Sequence, residues 1–94
     1  MEIIYTLIYH PKVISDDIKE LNGSWKKKIK SSMEGKLLTE PLLYGKPLRR
    51  DLYGCYKLRV GDYRVIYFLK ANTVHIVAIR HRREVYDTDF KKRL

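Results

Sequence analysis

CYKLRVGDYRVIYFLKANTVHIVAIRHRREVY, Cys55 to Tyr86, is the stretch whose reading decides the fold. Gly61-Asp62 separates Tyr56–Val60 from Tyr63–Leu69, and Ala71-Asn72 separates that second run from Thr73–Ile79. Short polar loops between β-branched and aromatic runs are the hairpin signal, so the stretch predicts a three-stranded antiparallel meander. Alternate residues of a strand face opposite sides: Lys57 and Arg59 share one face, and Arg64 shares one with Ile66 and Phe68. Arg80 ends the third strand. Any one of these reads as a solvated charge on a sheet face. If Lys57, Arg59, Arg64 and Arg80 converge, they line a concave positive surface that repels itself until an anion arrives, and a phosphate fits that need.

Upstream of the meander, Glu2-Ile-Ile-Tyr-Thr-Leu-Ile-Tyr9 predicts the first strand, ended by His10-Pro11 because proline has no N–H to give a ladder. Ser15-Asp-Asp-Ile18 starts a short helix with acids in its first turn, closed by Asn22-Gly23, and Ile14, Ile18 and Leu21 form its apolar stripe. Ser24 caps a second helix through Leu38, and Pro41 limits its continuation. Its apolar positions Trp25, Ile29, Met33 and Leu37 recur every four residues and predict one face packed on the sheet. The lysines between them fall on a solvated exterior. Leu42 to Leu48 reads as a loop broken by Gly45 and Pro47, with Leu48 and Leu52 anchoring the entry to the meander. The fold class that follows is α+β: a small single domain with an N-terminal strand, a two-helix hairpin, the meander and a short C-terminal helical turn.

The chain has 94 residues, enough for one domain, and a net charge of +9. Residues 1–45 carry 7 Lys+Arg against 6 Asp+Glu, whereas residues 46–94 carry 13 against 5, so the basic excess lies with the meander. Interleaved tyrosines favour nucleic acid over membrane as the partner, since rings stack on unpaired bases while cations hold the backbone. A single cysteine excludes an internal disulfide framework, and no Cys/His spacing suits zinc. The apolar start is too short for a membrane span and has no basic leader or cleavage site, so a cytoplasmic location is expected.

The order strand, two helices, meander resembles the RelE/ParE superfamily of toxin–antitoxin toxins. The likeness is carried by Pro47-Leu48-Arg49, by Leu52-Tyr53-Gly54, by Cys55 through Tyr67, and by Ile79-Arg80-His81-Arg82-Arg83-Glu84-Val85-Tyr86. It covers essentially the whole chain. The block from Tyr56 to Tyr67 is similar to ribonucleases and gyrase poisons of the superfamily alike, and the ending from His81 to Tyr86 is more similar to the RelE branch.

In that branch, the resemblance implies, the toxin enters the ribosomal A site and the ribose 2′-hydroxyl of the bound codon attacks the adjacent phosphate. A cyclic phosphate and a 5′-hydroxyl result, with no metal or other cofactor. This chemistry needs a proton acceptor, cations for the developing charge and an acid for the leaving oxygen. By resemblance, Arg64 and Arg80 match the phosphate-stabilising arginines, Tyr86 a tyrosine that stacks or donates a proton, and Lys57 one of two lysines. Cys55 stands where the second lysine is found, and a thiol does not replace an ammonium. The acceptor is then Lys57, if clustered cations disfavour its charged form, or His81, whose ordinary pKa of about 6.5 lies near working pH, or, third in order, Cys55. Arg59, Arg82 and Arg83 read as RNA-backbone binders or as solvated surface. Asp62 reads as turn chemistry, Glu84 as the ion-pair partner of Arg82 or Arg83, His75 as a packed strand residue, and Tyr86 equally as a ring closing the sheet edge.

The resemblance also implies a cognate antitoxin whose acidic, apolar segment wraps the basic face, with Phe90 and Leu94 of the terminal turn Asp87–Leu94 as apolar contacts. It implies the ribosome and mRNA as further partners, no membrane, and operator DNA only through the antitoxin complex. A ParE-like inhibitor of DNA gyrase is the alternative, and a catalytically silent relative that keeps antitoxin and operator roles is a third reading.

Overall fold

Two turns with a positive φ at their first central residue, Gly61 at +59° and Ala71 at +54°, fold the three runs of alternating residues onto one another in the computed structural model. The strands are β3 (Cys55–Val60), β4 (Tyr63–Lys70) and β5 (Thr73–His81), antiparallel as the alternation predicts. The structure describes residues 4–84 and 89–94. β1 (Thr6–Tyr9) adds to β5 in parallel, with Thr6 beside Thr73 and Tyr9 beside Ile76, and β2 (Lys46–Pro47) adds to the far edge of β3. The sheet therefore has five strands in the order β1-β5-β4-β3-β2. A register shift at Ile66/Tyr67 puts both Val77 and Ala78 of β5 on the face opposite the helices.

The helices lie on one side of this sheet. A helical segment at 11–20 is followed by α1 (Gly23–Ser32), which continues through a wider turn at Met33–Leu37, and by α2 (Pro41–Tyr44). Ile29, Met33 and Leu37 are buried and Trp25 is half-buried, so the four-residue stripe holds. It packs on Leu58, Val60, Val65, Tyr67, Val74, Ile76 and Ile79. A smaller cluster of Cys55, Ile66, Val77, Ala78 and Phe90, flanked by Leu48, Leu52 and Phe68, forms on the other face.

Several boundaries differ from those the sequence suggests. The first helical segment starts at Pro11 rather than Ser15, because proline suits a first helical position and His10 Nδ1 accepts the Lys12 N–H at 3.1 Å. The earlier start and a wide turn over Val13–Asp17 change the buried stripe from Ile14, Ile18, Leu21 to Val13, Asp17, Leu21, leaving Ile14 exposed. Asn22, not Ser24, caps α1, its Oδ1 accepting the Trp25 N–H at 2.9 Å. The stretch from Leu42 to Leu48 is not all loop: it holds most of α2 and all of β2, elements too short to show a periodicity. Of the expected first strand and terminal turn, residues 1–3 and 87–88 lie outside the described residues, and the turn observed is Asp89–Arg93.

Gly45, between α2 and β2, is fixed by a close approach. A Cβ there would stand 1.8 Å from Tyr67 Oη, which donates a 2.5 Å hydrogen bond to the Pro41 carbonyl in the core. Gly45→Ala is therefore expected to break that bond and overpack the site, costing about 2–4 kcal/mol. Tyr67→Phe, which loses only the bond, is expected to cost about 1–3 kcal/mol. Denaturant unfolding checks both, and equal stability of Gly45→Ala and the parent chain would refute the contact.

Candidate functional site

Directly opposed residues of neighbouring strands project from the same face, so the register sorts the cations. On the face away from the helices, Arg59 of β3 opposes Arg64 of β4, and Arg64 opposes Arg80 of β5, which makes one row across three strands. Two residues further along, Lys46 of β2 opposes Lys57 of β3. The four cations singled out from the meander thus share one face.

Their surroundings differ. Arg59 is exposed and Arg64 half-buried, with Arg64 Nη1 donating to the Gly61 and Tyr63 carbonyls at 3.3 and 3.2 Å. Among the described residues, no carboxylate lies within ion-pair distance of Arg59, Arg64, Lys57 or Lys46. Arg80 is buried. Its Nη1 lies 2.9 Å from Asp17, a carboxylate buried in the helical segment, and its guanidinium sits 5.9 Å from the centroid of the Phe90 ring. It does not stand open to solvent, as the cluster of cations suggested, because Asp17 and the terminal segment enclose it.

Asp17 has a local reason to be there. β1 ends beside Ile76, so the outer edge of β5 is open at Ile79, whose N–H donates to Asp17 Oδ2 at 2.9 Å. Arg93 completes the cluster with contacts of 2.8 and 3.1 Å to the two carboxylate oxygens and a 3.0 Å bond to the Val77 carbonyl. Lys91, in the same terminal segment, meets Asp51 at 2.7 Å, and this ammonium holds the Asp51 carboxyl below its usual range. The segment 89–94 therefore crosses the open face, with Phe90 buried beneath it, and is pinned to Asp51 at one end and Asp17 at the other. In the isolated chain Phe90 is a core contact. Leu94 is exposed.

His81 opposes Tyr63 and so projects from the helix side, across the sheet from the arginine row. Its ring meets Tyr63 edge-on at 5.1 Å, and Tyr63 meets Trp25 at 4.9 Å. His81 Nδ1 accepts the Arg83 N–H at 3.1 Å. At the end of β5, His81 and Arg80 do line one polar cleft of about 260 Å³, with Asp16, Asp17, Glu20 and Glu84 also on its walls. Arg82 pairs loosely with Asp62 at 3.9 Å, so Asp62 does more than shape a turn. Arg83 is exposed after β5, and His75 stacks on Phe68 at 4.6 Å on the open face. Burial pushes the Cys55 thiol up from its ordinary pKa, which keeps it neutral and makes it a filler rather than a base. Tyr86 lies outside the described residues.

Sequence reasoning missed Asp17, Arg93 and Lys46. The signal for Asp17 was a carboxylate between Val13 and Leu21 at four-residue spacing, a polar residue on an apolar stripe that only a buried cation would match. For Lys46 no periodic signal exists. Among the described residues no three His, Cys, Asp or Glu side chains gather as metal ligands, and no helix is long and apolar enough to cross a membrane.

Comparison with known proteins bears on this arrangement. The family model of the ParE toxin of type II toxin–antitoxin systems matches residues 7–86. Toxin RelE of Mycobacterium tuberculosis is 35% identical over 83 residues, covering 83% of this chain and 86% of that protein. Toxin RelG of the same organism is 44% identical over 54 residues, covering 55% of this chain; the match spans 62% of RelG, less than two thirds of its length. The RelBE2 toxin–antitoxin complex of M. tuberculosis contains a chain that superposes with a TM-score of 0.78 at 33% identity, covering 85% of this chain and 93% of that one.

Proposed function

This chain belongs to the RelE/ParE family of toxins of type II toxin–antitoxin systems, and from that premise we propose that it is an endoribonuclease that cuts mRNA in the ribosomal A site. The observation that carries the reading is the row Arg59–Arg64–Arg80 with Lys57 beside it, cations of three strands on one face. Such a face suits a scissile phosphodiester. The 2′-oxygen of the preceding ribose attacks phosphorus as its proton passes to a base, and the 5′-oxygen leaves with a proton from an acid, giving a 2′,3′-cyclic phosphate and a 5′-hydroxyl. Guanidinium groups aimed at the phosphate oxygens stabilise the added charge of the pentacoordinate transition state.

Arg64 and Arg59 are the cations best disposed to meet the phosphate, and Arg80 stiffens the row from the Asp17 side. Lys57 is the favoured proton acceptor because it shares the face with them, whereas His81 projects from the other side and the Cys55 thiol is buried. Tyr86, by resemblance, is the acid, and Arg82 and Arg83 are contacts to the RNA backbone. A cognate antitoxin is the chain's partner, as the toxin–antitoxin complex among its relatives supports, and its acidic segment neutralises the open face. The ribosome and its message are the target.

One observation favours a second reading, a ParE-like inhibitor of DNA gyrase that has this fold and needs neither Tyr86 nor a base: the matching family model is that of the ParE toxin. Expression in cells separates the two. The ribonuclease reading expects arrested translation and messages cut within codons on translating ribosomes. Intact messages with gyrase-trapped DNA breaks would replace it by the second.

A further inference from the structure

We propose that Lys46, on the two-residue edge strand β2, is a phosphate contact that acts with Lys57 as a pair of ammonium groups gripping the backbone of single-stranded RNA. The proposal rests on the ribonuclease reading for its substrate and on the register for its geometry. Lys46 is the direct antiparallel partner of Lys57, so the two side chains leave the sheet on the same side with Cβ atoms roughly 4.5–5.5 Å apart. The direction has a second, independent support. A Cβ at Gly45 would point at Tyr67 Oη, on the helix side, so the next residue of the extended chain points to the open face.

Like charges placed directly opposite each other destabilise a sheet. Among the described residues no acid relieves them: of the carboxylates bordering this face, Asp51 is held by Lys91 and Asp17 by Arg80 and Arg93. Two residues along β3, about 6.5 Å away, lies the Arg59–Arg64 pair, so Lys46 extends the cationic row into a patch two rows deep. Edge protection alone does not explain the charge. The two-residue length and Pro47, which has no N–H to offer, already close β2 to further pairing. What the pattern does suit is a polyanion, whose successive phosphates meet cations at a spacing of one row.

The test is binding of the intact chain to a short single-stranded oligonucleotide made wholly of 2′-deoxyribose, which has no attacking hydroxyl, measured from about 50 to about 200 mM salt. Lys46→Ala is expected to weaken binding about tenfold at low salt and to reduce the slope of log K against log salt by about 0.7, the loss of one phosphate contact. Lys46→Arg should keep the slope. Lys19→Ala, an exposed lysine on the helix side, should change neither quantity, and Lys46→Ala should melt no lower than the parent chain. A parental slope and affinity for Lys46→Ala, or no measurable binding by the parent chain, would overturn the proposal. Because neither ribosome nor cleavage enters this measurement, a reduced slope sustains the contact even if messages are left intact, and cut messages with an unchanged slope remove Lys46 alone.

Discussion

Replacing Asp17 by alanine is expected to destabilise the chain by about 3–5 kcal/mol, the effect of removing one partner from a buried ionic cluster. One carboxylate with a 3% exposed side chain accepts from the Ile79 N–H and twice from Arg93 and pairs with Arg80 at 2.9 Å, so its loss removes a buried charge that two guanidinium groups share. For a chain of this size the melting temperature should fall by roughly 12–40 °C. The effect should be shared with Arg93→Ala, which frees the terminal segment but leaves Arg80 paired, and should be smaller there. A stability within about 1 kcal/mol of the parent for Asp17→Ala, read by urea unfolding, would show that the cluster does not hold the edge of β5.

Arg64→Ala is expected to lower single-turnover cleavage of a ribosome-bound message by about 10²–10³-fold, the scale for losing one donor to a developing oxyanion. It should do so without unfolding the chain, since Arg64 gives up only two bonds to the carbonyls of its own turn. Antitoxin binding should survive. Arg80→Ala is a poorer probe of chemistry, because it also strips Asp17 of a partner, and its loss of activity would mix folding with catalysis. A chain carrying Arg64→Ala that cuts at the parental rate would remove the arginine row from the mechanism.

The sequence made the meander legible because its turns and its alternation are local. Gly61-Asp62 and Ala71-Asn72 break the runs where the structure turns, and the positions that share a face, Lys57 with Arg59 and Arg64 with Ile66, follow from a period of two. The stripe of α1 was legible for the same reason. Asp17 was not, since its burial depends on Arg80 and Arg93, which reach it from 63 and 76 residues away in the chain. Nor was the side of His81: one step along β5 separates it from Arg80, and that step turns it from the arginine face to the rings of Tyr63 and Trp25. β2 escaped because two residues have no period. Its neighbour Gly45 is legible only afterwards, as the place where Tyr67 comes too close for any side chain.

The central claim is that the open face of the sheet cuts a phosphodiester by way of the adjacent 2′-hydroxyl. It is tested most directly by single-turnover reaction of the parent chain with two ribosome-bound messages, identical except for ribose or 2′-deoxyribose at the scissile nucleotide of the A-site codon. The ribose message should be cut at that bond, leaving a 2′,3′-cyclic phosphate and a 5′-hydroxyl, while the deoxy message stays whole. Equal cutting of both messages, or cutting of neither, would contradict the account.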